Sequence, residues 1–408
     1  MTEPTPTTTP EHLPPQRLHA LDNLRALAMW LGIVLHVSAI HWVNPSPLPW
    51  RDEQRTIVAD LLGAFIHSFR MPVFFILAGY FVAMLLHQHG AGGMLKNRAK
   101  RLGLPFAVFW LPIFSACVVL ALLFVHRMAR GTWGLDPVLL QRQAPNVPQG
   151  PSTMHMWFLW MLLWLCVLTA ALHRFGGAPV RRIGSALAAA LGFIGASWGG
   201  FMVLALPLAV TGAVYPNGIV TPNGSFLPPL AEWVHNGLFF AFGLSVYACR
   251  EHLLPLFTRR AWAYAAAGLP FFFGTLVLME MLRQPDRPIA HLPFWIALAY
   301  NCATWLWSFA LIGLALRYMP RRNAVLGYLA DSSYWVYLVH MPATIGFGAL
   351  LFGVPIPALG KMGLNIAATT LLCLATYHLF VRFTPVSILL NGKRHPRKIQ
   401  GVLAHANP

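Results

Sequence analysis

The sequence predicts an all-α, polytopic integral membrane protein of about ten transmembrane helices with both termini in the cytoplasm. Three observations carry that expectation. The 408 residues are 57% hydrophobic and only 10% charged, with a mean hydropathy of +0.58. Windows of about twenty apolar residues recur at 22–42, 57–86, 103–126, 154–173, 184–212, 230–249, 261–282, 291–316, 331–353 and 362–382. The basic residues gather in short clusters between these windows, and an N-terminus-inside arrangement places most of the 29 Lys and Arg on the inner side. The formal net charge of +17 therefore reads as a topology signal, and nucleic acid is not expected as a partner. The five cysteines, Cys117, Cys166, Cys249, Cys302 and Cys373, all fall inside apolar windows, so neither a disulfide framework nor a metal site is expected.

Residues 1–18, with Pro4, Pro6, Pro10, Pro14 and Pro15, are too polar and Pro/Thr-rich to bury a core and read as a disordered tail. The first window, LDNLRALAMWLGIVLHVSAIHW, is long for a signal peptide, carries ionisable residues and ends in no small-residue cleavage site. It is expected to remain as a membrane anchor. Arg25 and His36 lie eleven residues apart on it, a spacing that returns to the same helix face. About 16 Å of rise then separates them, placing Arg25 near one membrane surface and His36 about half-way through the hydrocarbon. Asp22 can pair with Arg25 at i,i+3, and Gly32, one turn from His36, leaves room beside the ring. Two readings fit: an anion anchor above a general base, or a snorkelling arginine and a histidine bonded to a neighbouring helix.

The second window contains FIHSFRMPVFFILAGYF, residues 65–81. His67 and Arg70 are i,i+3 neighbours, Asp60 shares the face of His67, and Pro72 is expected to interrupt the helix and open a cavity. KNRAKR, residues 96–101, enters the third window; Arg98 and Arg101 are one turn apart, either a two-pronged phosphate site or a positive-inside signal. His155 and Trp157 open the fourth window, as cavity residues or as an interfacial aromatic belt. The fifth is broken by Gly199, Gly200 and Pro207 and reads as a tilted helix or a short helix with a re-entrant piece. Residues 213–229 carry no charge, as an outer loop would. Glu232 and His235 in the sixth window and Glu280 in the seventh are further buried-polar candidates. In the ninth, SSYWVYLVHMP places Ser333, Tyr337 and His340 in one stripe ahead of Pro342. Residues 386–408, with RHPRKIQ, read as a basic cytoplasmic tail, either a topology anchor or a contact for membrane lipid headgroups. No internal repeat and no soluble domain is read.

Taken in order, Arg25 with His36, FFILAGYF, Arg98-x-x-Arg101 and SSYWVYLVHMP resemble the membrane acyltransferase-3 family, over about residues 19–385. FIHSFRM, HMWFL at 155–159 and YLVHMP look like the branch that succinylates periplasmic glucans. The resemblance implies an acyl-CoA donor, succinyl-CoA in that branch, bound from the cytoplasm of a bacterial inner membrane, and a carbohydrate acceptor outside. It implies His36 as the catalytic histidine, assisted by Arg25 and Asp22, with Arg25, Arg98 and Arg101 facing the phosphates of coenzyme A. Tyr337 or His340 would stabilise the oxyanion, and His67, Arg70, His155, Trp157, Ser333 and Glu232 would line the acceptor cavity. Ala78 stands where many relatives have serine before the FFxxSG glycine, so a hydroxyl there is not part of the expected chemistry. No tightly bound cofactor is implied. Acetylation of another envelope polysaccharide, or proton-coupled transport, are the alternative readings.

Overall fold

The structure, a computed structural model, describes residues 15–46, 48–143, 150–284, 289–321, 323–392, 394 and 396. The disordered tail expected at 1–18 lies mostly outside these. The described residues are helical with no strand: α1 (Pro15–Ile40), α2 (Ile57–Arg98), α3 (Leu104–Arg130), α4 (Pro137–Gln143), α5 (Trp157–Phe175), α6 (Gly177–Ala196) and α7 (Gly200–Gly212). They continue as α8 (Leu230–Ala248), α9 (Arg250–Met281), α10 (Leu292–Tyr318), α11 (Ala324–Leu351), α12 (Ala358–Thr376) and α13 (Pro385–Asn391). Every apolar window falls on helix. Among the described residues seven helices are long and apolar enough to cross a membrane, eight if a bent pair forms one span.

Three differences separate the seven from the ten windows. The second and third windows belong to one helical stretch, Ile57–Arg130, whose 74 residues far exceed a bilayer. It is broken at Gly90, where φ is 65° and ψ −179°. The sixth window, α8, is shortened in apolar content by Glu232, His235 and Asn236. The fifth window is the bent pair, α6 and α7, turned by 117°. Its break falls at Ser197–Gly199; Pro207 sits inside α7 without ending it.

One further expectation is corrected. Pro72 does not break α2, which continues through it as far as the break at Gly90. A proline removes the donor to the carbonyl four residues back, here that of Ser68; the Thr304 hydroxyl of α10 fills the vacancy at 2.8 Å. At the start of the C-terminal tail, residues 385–391 form α13, held by Asn391 Nδ2 donating to the Asp331 carbonyl at 2.8 Å.

Packing follows the small-residue logic of membrane helices. At the crossing of α2 and α8, a Cβ on Gly79 would run into the Phe240 carbonyl oxygen and one on Gly243 into that of Ile76. The two backbones touch reciprocally, which only glycine permits. Helix α1 packs against both α11 and α2, and α5 packs against α2. Leu111, Phe193, Val210, Phe273 and Leu371 are exposed, as side chains facing acyl chains would be. At one end the loop 41–56 is pinned by a buried ion pair, Lys361 Nζ of α12 to Asp52 Oδ1 and Oδ2 at 2.8 and 3.0 Å. Asp60, expected on the His67 face, instead accepts the backbone N–H groups of Val43 and Asn44 at 2.8 and 3.0 Å.

Candidate active site

Four helices, α1, α2, α5 and α11, converge on the candidate site, which has two storeys. The first is a cavity of about 500 Å³ at the end of the bundle bearing α13. Arg25, Arg98 and Arg101 line it, with Asp22, Asp331, Ser333, Phe74, Ala78, Phe158, Leu390 and Asn391. Arg25 Nη2 pairs with Asp22 Oδ1 at 3.1 Å, both half exposed. Arg98, at the end of α2, has its Nε buried without a partner. Arg101 sits in a π-helical turn, Ala99–Gly103; its Nη1 donates to the Leu390 carbonyl at 3.3 Å while its own carbonyl accepts from Tyr334 at 2.8 Å. The three guanidinium groups are close enough to repel one another. Such a set favours a polyanion with several phosphate oxygens.

The second storey lies one to two turns deeper on the same helices. Going deeper, α1 leads from Met29 past Gly32 to His36, α2 from Phe74 to Arg70 and His67, and α11 from Ser333 to Tyr337 and His340, while His155 lies in the 3₁₀ turn Met154–Met156 that enters α5 ahead of Phe158. The floor between storeys is the Phe74–Phe158 pair, with ring centroids 5.3 Å apart. Beyond it the His36 and His340 rings are 5.2 Å apart and those of His155 and His340 5.4 Å. Among the described residues no group of three His, Cys, Asp or Glu has the geometry to hold a metal ion.

Hydrogen bonds fix most of these rings. His340 Nδ1–H donates to the carbonyls of Val336 and Tyr337 at 2.9 and 2.8 Å, which leaves Nε2 as a lone pair without a partner. His155 Nε2–H donates to the Leu338 carbonyl at 3.2 Å, and its Nδ1 is left as the unpartnered lone pair. Leu338 is the residue whose carbonyl Pro342 frees, so this proline aims an imidazole rather than breaking α11. His67 Nδ1 meets the Tyr300 hydroxyl at 2.8 Å. The Tyr337 hydroxyl donates to the His155 carbonyl at 2.7 Å, so its proton is committed to the fold.

The structure therefore brings His36, His67, Arg70, His155, Tyr337 and His340 together, and Asp22, Arg25, Arg98, Arg101 and Ser333 one level above them. Ser333 belongs with the arginines rather than with the histidines, and its hydroxyl donates to the Ala330 carbonyl at 2.8 Å. The room expected beside Gly32 is occupied. A Cβ there would meet Arg70 Nη1 at 2.5 Å and His340 Nε2 at 3.3 Å. His155 faces inward rather than forming an interfacial belt, while Trp157 packs on Phe75 with centroids 6.1 Å apart. Glu232 stands apart: its Oε1 accepts the Asn223 N–H at 2.9 Å and clamps the loop before α8. Sequence reasoning missed Tyr300, Leu390 and Asn391, which lie in none of the motifs quoted above, and it gave no separate role to Phe74 of FFILAGYF or Phe158 of HMWFL.

Comparison with known proteins agrees with the geometry. The family model described as the acyltransferase domain (Acyl_transf_3) matches residues 18–379. The chain belongs to the acyltransferase-3 family. It is similar to proteins named glucans biosynthesis protein C from Escherichia coli O1:K1, from O157:H7 and from strain K12. Each is 26% identical over 353 residues, covering 83% of this chain and 85% of the relative. No solved structure matches. As an acyltransferase-3 member with several long apolar helices, this is a multi-pass membrane O-acyltransferase.

Proposed function

We propose that this acyltransferase moves a succinyl group from cytoplasmic succinyl-CoA to a hydroxyl of a periplasmic glucan across a bacterial inner membrane. The observation that carries the reading is the alignment of the two storeys. A cavity lined by three arginines lies directly above a cluster of imidazoles, along the same four helices. The coenzyme A phosphates would sit against Arg25, Arg98 and Arg101, and the pantetheine arm would thread past Phe74 and Phe158 to bring the thioester to His36. The acceptor hydroxyl would arrive from the opposite side. The E. coli relatives' name, glucans biosynthesis, supports a carbohydrate acceptor.

His36 is the base in this reading. Among the described residues no hydrogen bond ties either of its ring nitrogens to the backbone, unlike those of His155 and His340, so its lone pair is free to serve a substrate. The imidazole takes the acceptor proton as the hydroxyl oxygen attacks the thioester carbonyl. The C–O bond forms, the C–S bond breaks, and the thiolate leaves with the proton that the imidazolium returns. Ester and free thiol result, and the neutral ring is regenerated. Tyr337 orients His155 rather than acting on substrate, because its hydroxyl is already donated. The test is His36→Ala assayed in inverted membrane vesicles with succinyl-CoA and purified glucan. Loss of transfer by about 10²–10⁴-fold with normal insertion is expected; retained transfer overturns the assignment. Mass spectrometry of the product glucan separates succinyl from acetyl.

A further inference from the structure

Arg70 is the guanidinium of the deeper storey, set among neutral side chains whose unpartnered groups include His155 Nδ1 and His340 Nε2. It is only 9% exposed, its Nε is buried without a partner, and among the described residues it has no hydrogen bond and no ion pair. The ion pairs seen among the described residues lie elsewhere, at Asp22–Arg25, Arg250–Glu251, Glu280–Arg283 and Asp52–Lys361. Around the guanidinium stand imidazoles and a phenol: His36, His67, His155, His340 and Tyr337. None of these carries a negative charge, and a buried guanidinium with five donors calls for an anion.

We infer that Arg70 is the specificity residue for the acyl group, holding the distal carboxylate of a dicarboxylic acyl donor. The inference rests on the donor reading above. Three arginines in the upper cavity already serve a polyphosphate. Arg70 is alone, one turn below Phe74 on α2, at the level of the reacting imidazole. A single planar fork matches one carboxylate bidentately. With the thioester carbonyl beside His36, the far end of a short acyl chain is the part of the donor that reaches Arg70. A plain alkanoyl group of the same length would leave the guanidinium buried and unanswered, and that penalty excludes it.

The test compares succinyl-CoA with butyryl-CoA, alike in length and differing in the carboxylate, in wild type, Arg70→Gln and Arg70→Lys. Wild type is expected to favour succinyl, Arg70→Gln to reduce that preference by about 100-fold or more, and Arg70→Lys to keep part of it. Equal loss with both donors would overturn the inference, since a group acting on the oxyanion or on folding has no reason to discriminate between them. Protection against thermal unfolding adds a second readout. Monomethyl succinate, which has the carboxylate and no coenzyme, should stabilise wild type but not Arg70→Gln, and methyl butyrate should stabilise neither. If wild type consumes neither thioester yet shows that protection, the carboxylate site stands and the coenzyme donor falls. If monomethyl succinate protects wild type and Arg70→Gln alike, the carboxylate site falls.

Discussion

Replacing Gly32 by alanine adds one methyl group to α1, and the structure says where it goes. The new Cβ would lie 2.5 Å from Arg70 Nη1 and 3.3 Å from His340 Nε2, against an ordinary contact distance that begins at 3.4 Å. The His340 contact is nearly tolerable. The guanidinium, however, must retreat by about 1 Å, which the free end of a long side chain can do without moving the backbone. The fold should therefore survive while the deeper storey is displaced. A shift of that size at a reacting centre costs about 10²-fold, or about 2.7 kcal/mol of transition-state stabilisation. The assay is succinyl transfer in vesicles normalised to inserted protein, with Gly274→Ala as the control, since a Cβ at Gly274 meets nothing within 4 Å. Full activity of Gly32→Ala would refute the placement of Arg70 against α1, and with it the packing of the deeper storey around that guanidinium.

Two other perturbations test the remaining parts of the site and its frame. Lys361→Met leaves Asp52 buried without its cation and is expected to lower stability by about 3–5 kcal/mol, read by unfolding in detergent. The double variant Asp52→Asn with Lys361→Met should recover most of that loss, and a single variant as stable as wild type would show that the ion pair does not hold the loop. Arg98→Gln and Arg101→Gln each delete a charged donor from the upper cavity and should raise KM for the acyl-CoA by about 10-fold or more. Because the phosphates do not change during the reaction, kcat should hold; a fall in kcat with KM unchanged would assign these arginines to the chemistry instead.

Much of the site is legible from spacing alone, because the helix period is known in advance. The eleven-position spacing of Arg25 and His36 places one on the upper cavity and the other beneath it on the same helix, and the Ser333, Tyr337, His340 stripe lines both storeys in that order. The number of spans is less legible, since apolar windows ignore whether consecutive helices join. Nothing near Gly90 or Ala99–Gly103 in the hydropathy profile says that one helical stretch runs from Ile57 to Arg130. Neither can the sequence say that Gly32 makes room for an arginine of the neighbouring helix, because its spare volume is filled by a side chain 38 positions later.

The prolines show where local reasoning stops. From sequence, Pro72 and Pro342 each announce a carbonyl without its helical donor, at Ser68 and Leu338. What the sequence does not announce is the replacement. Thr304 reaches Ser68 from 236 residues away and His155 reaches Leu338 from 183. Either helix would kink if the vacancy stayed open in a bilayer, where no water can fill it. Instead the donors come from neighbouring helices, so each proline becomes a fixed docking point. In the case of Pro342 the donor is an imidazole, and donating its Nε2–H leaves Nδ1 of His155 as the lone pair of the ring. A residue that reads in isolation as a helix breaker thus sets the tautomer of a ring in the site.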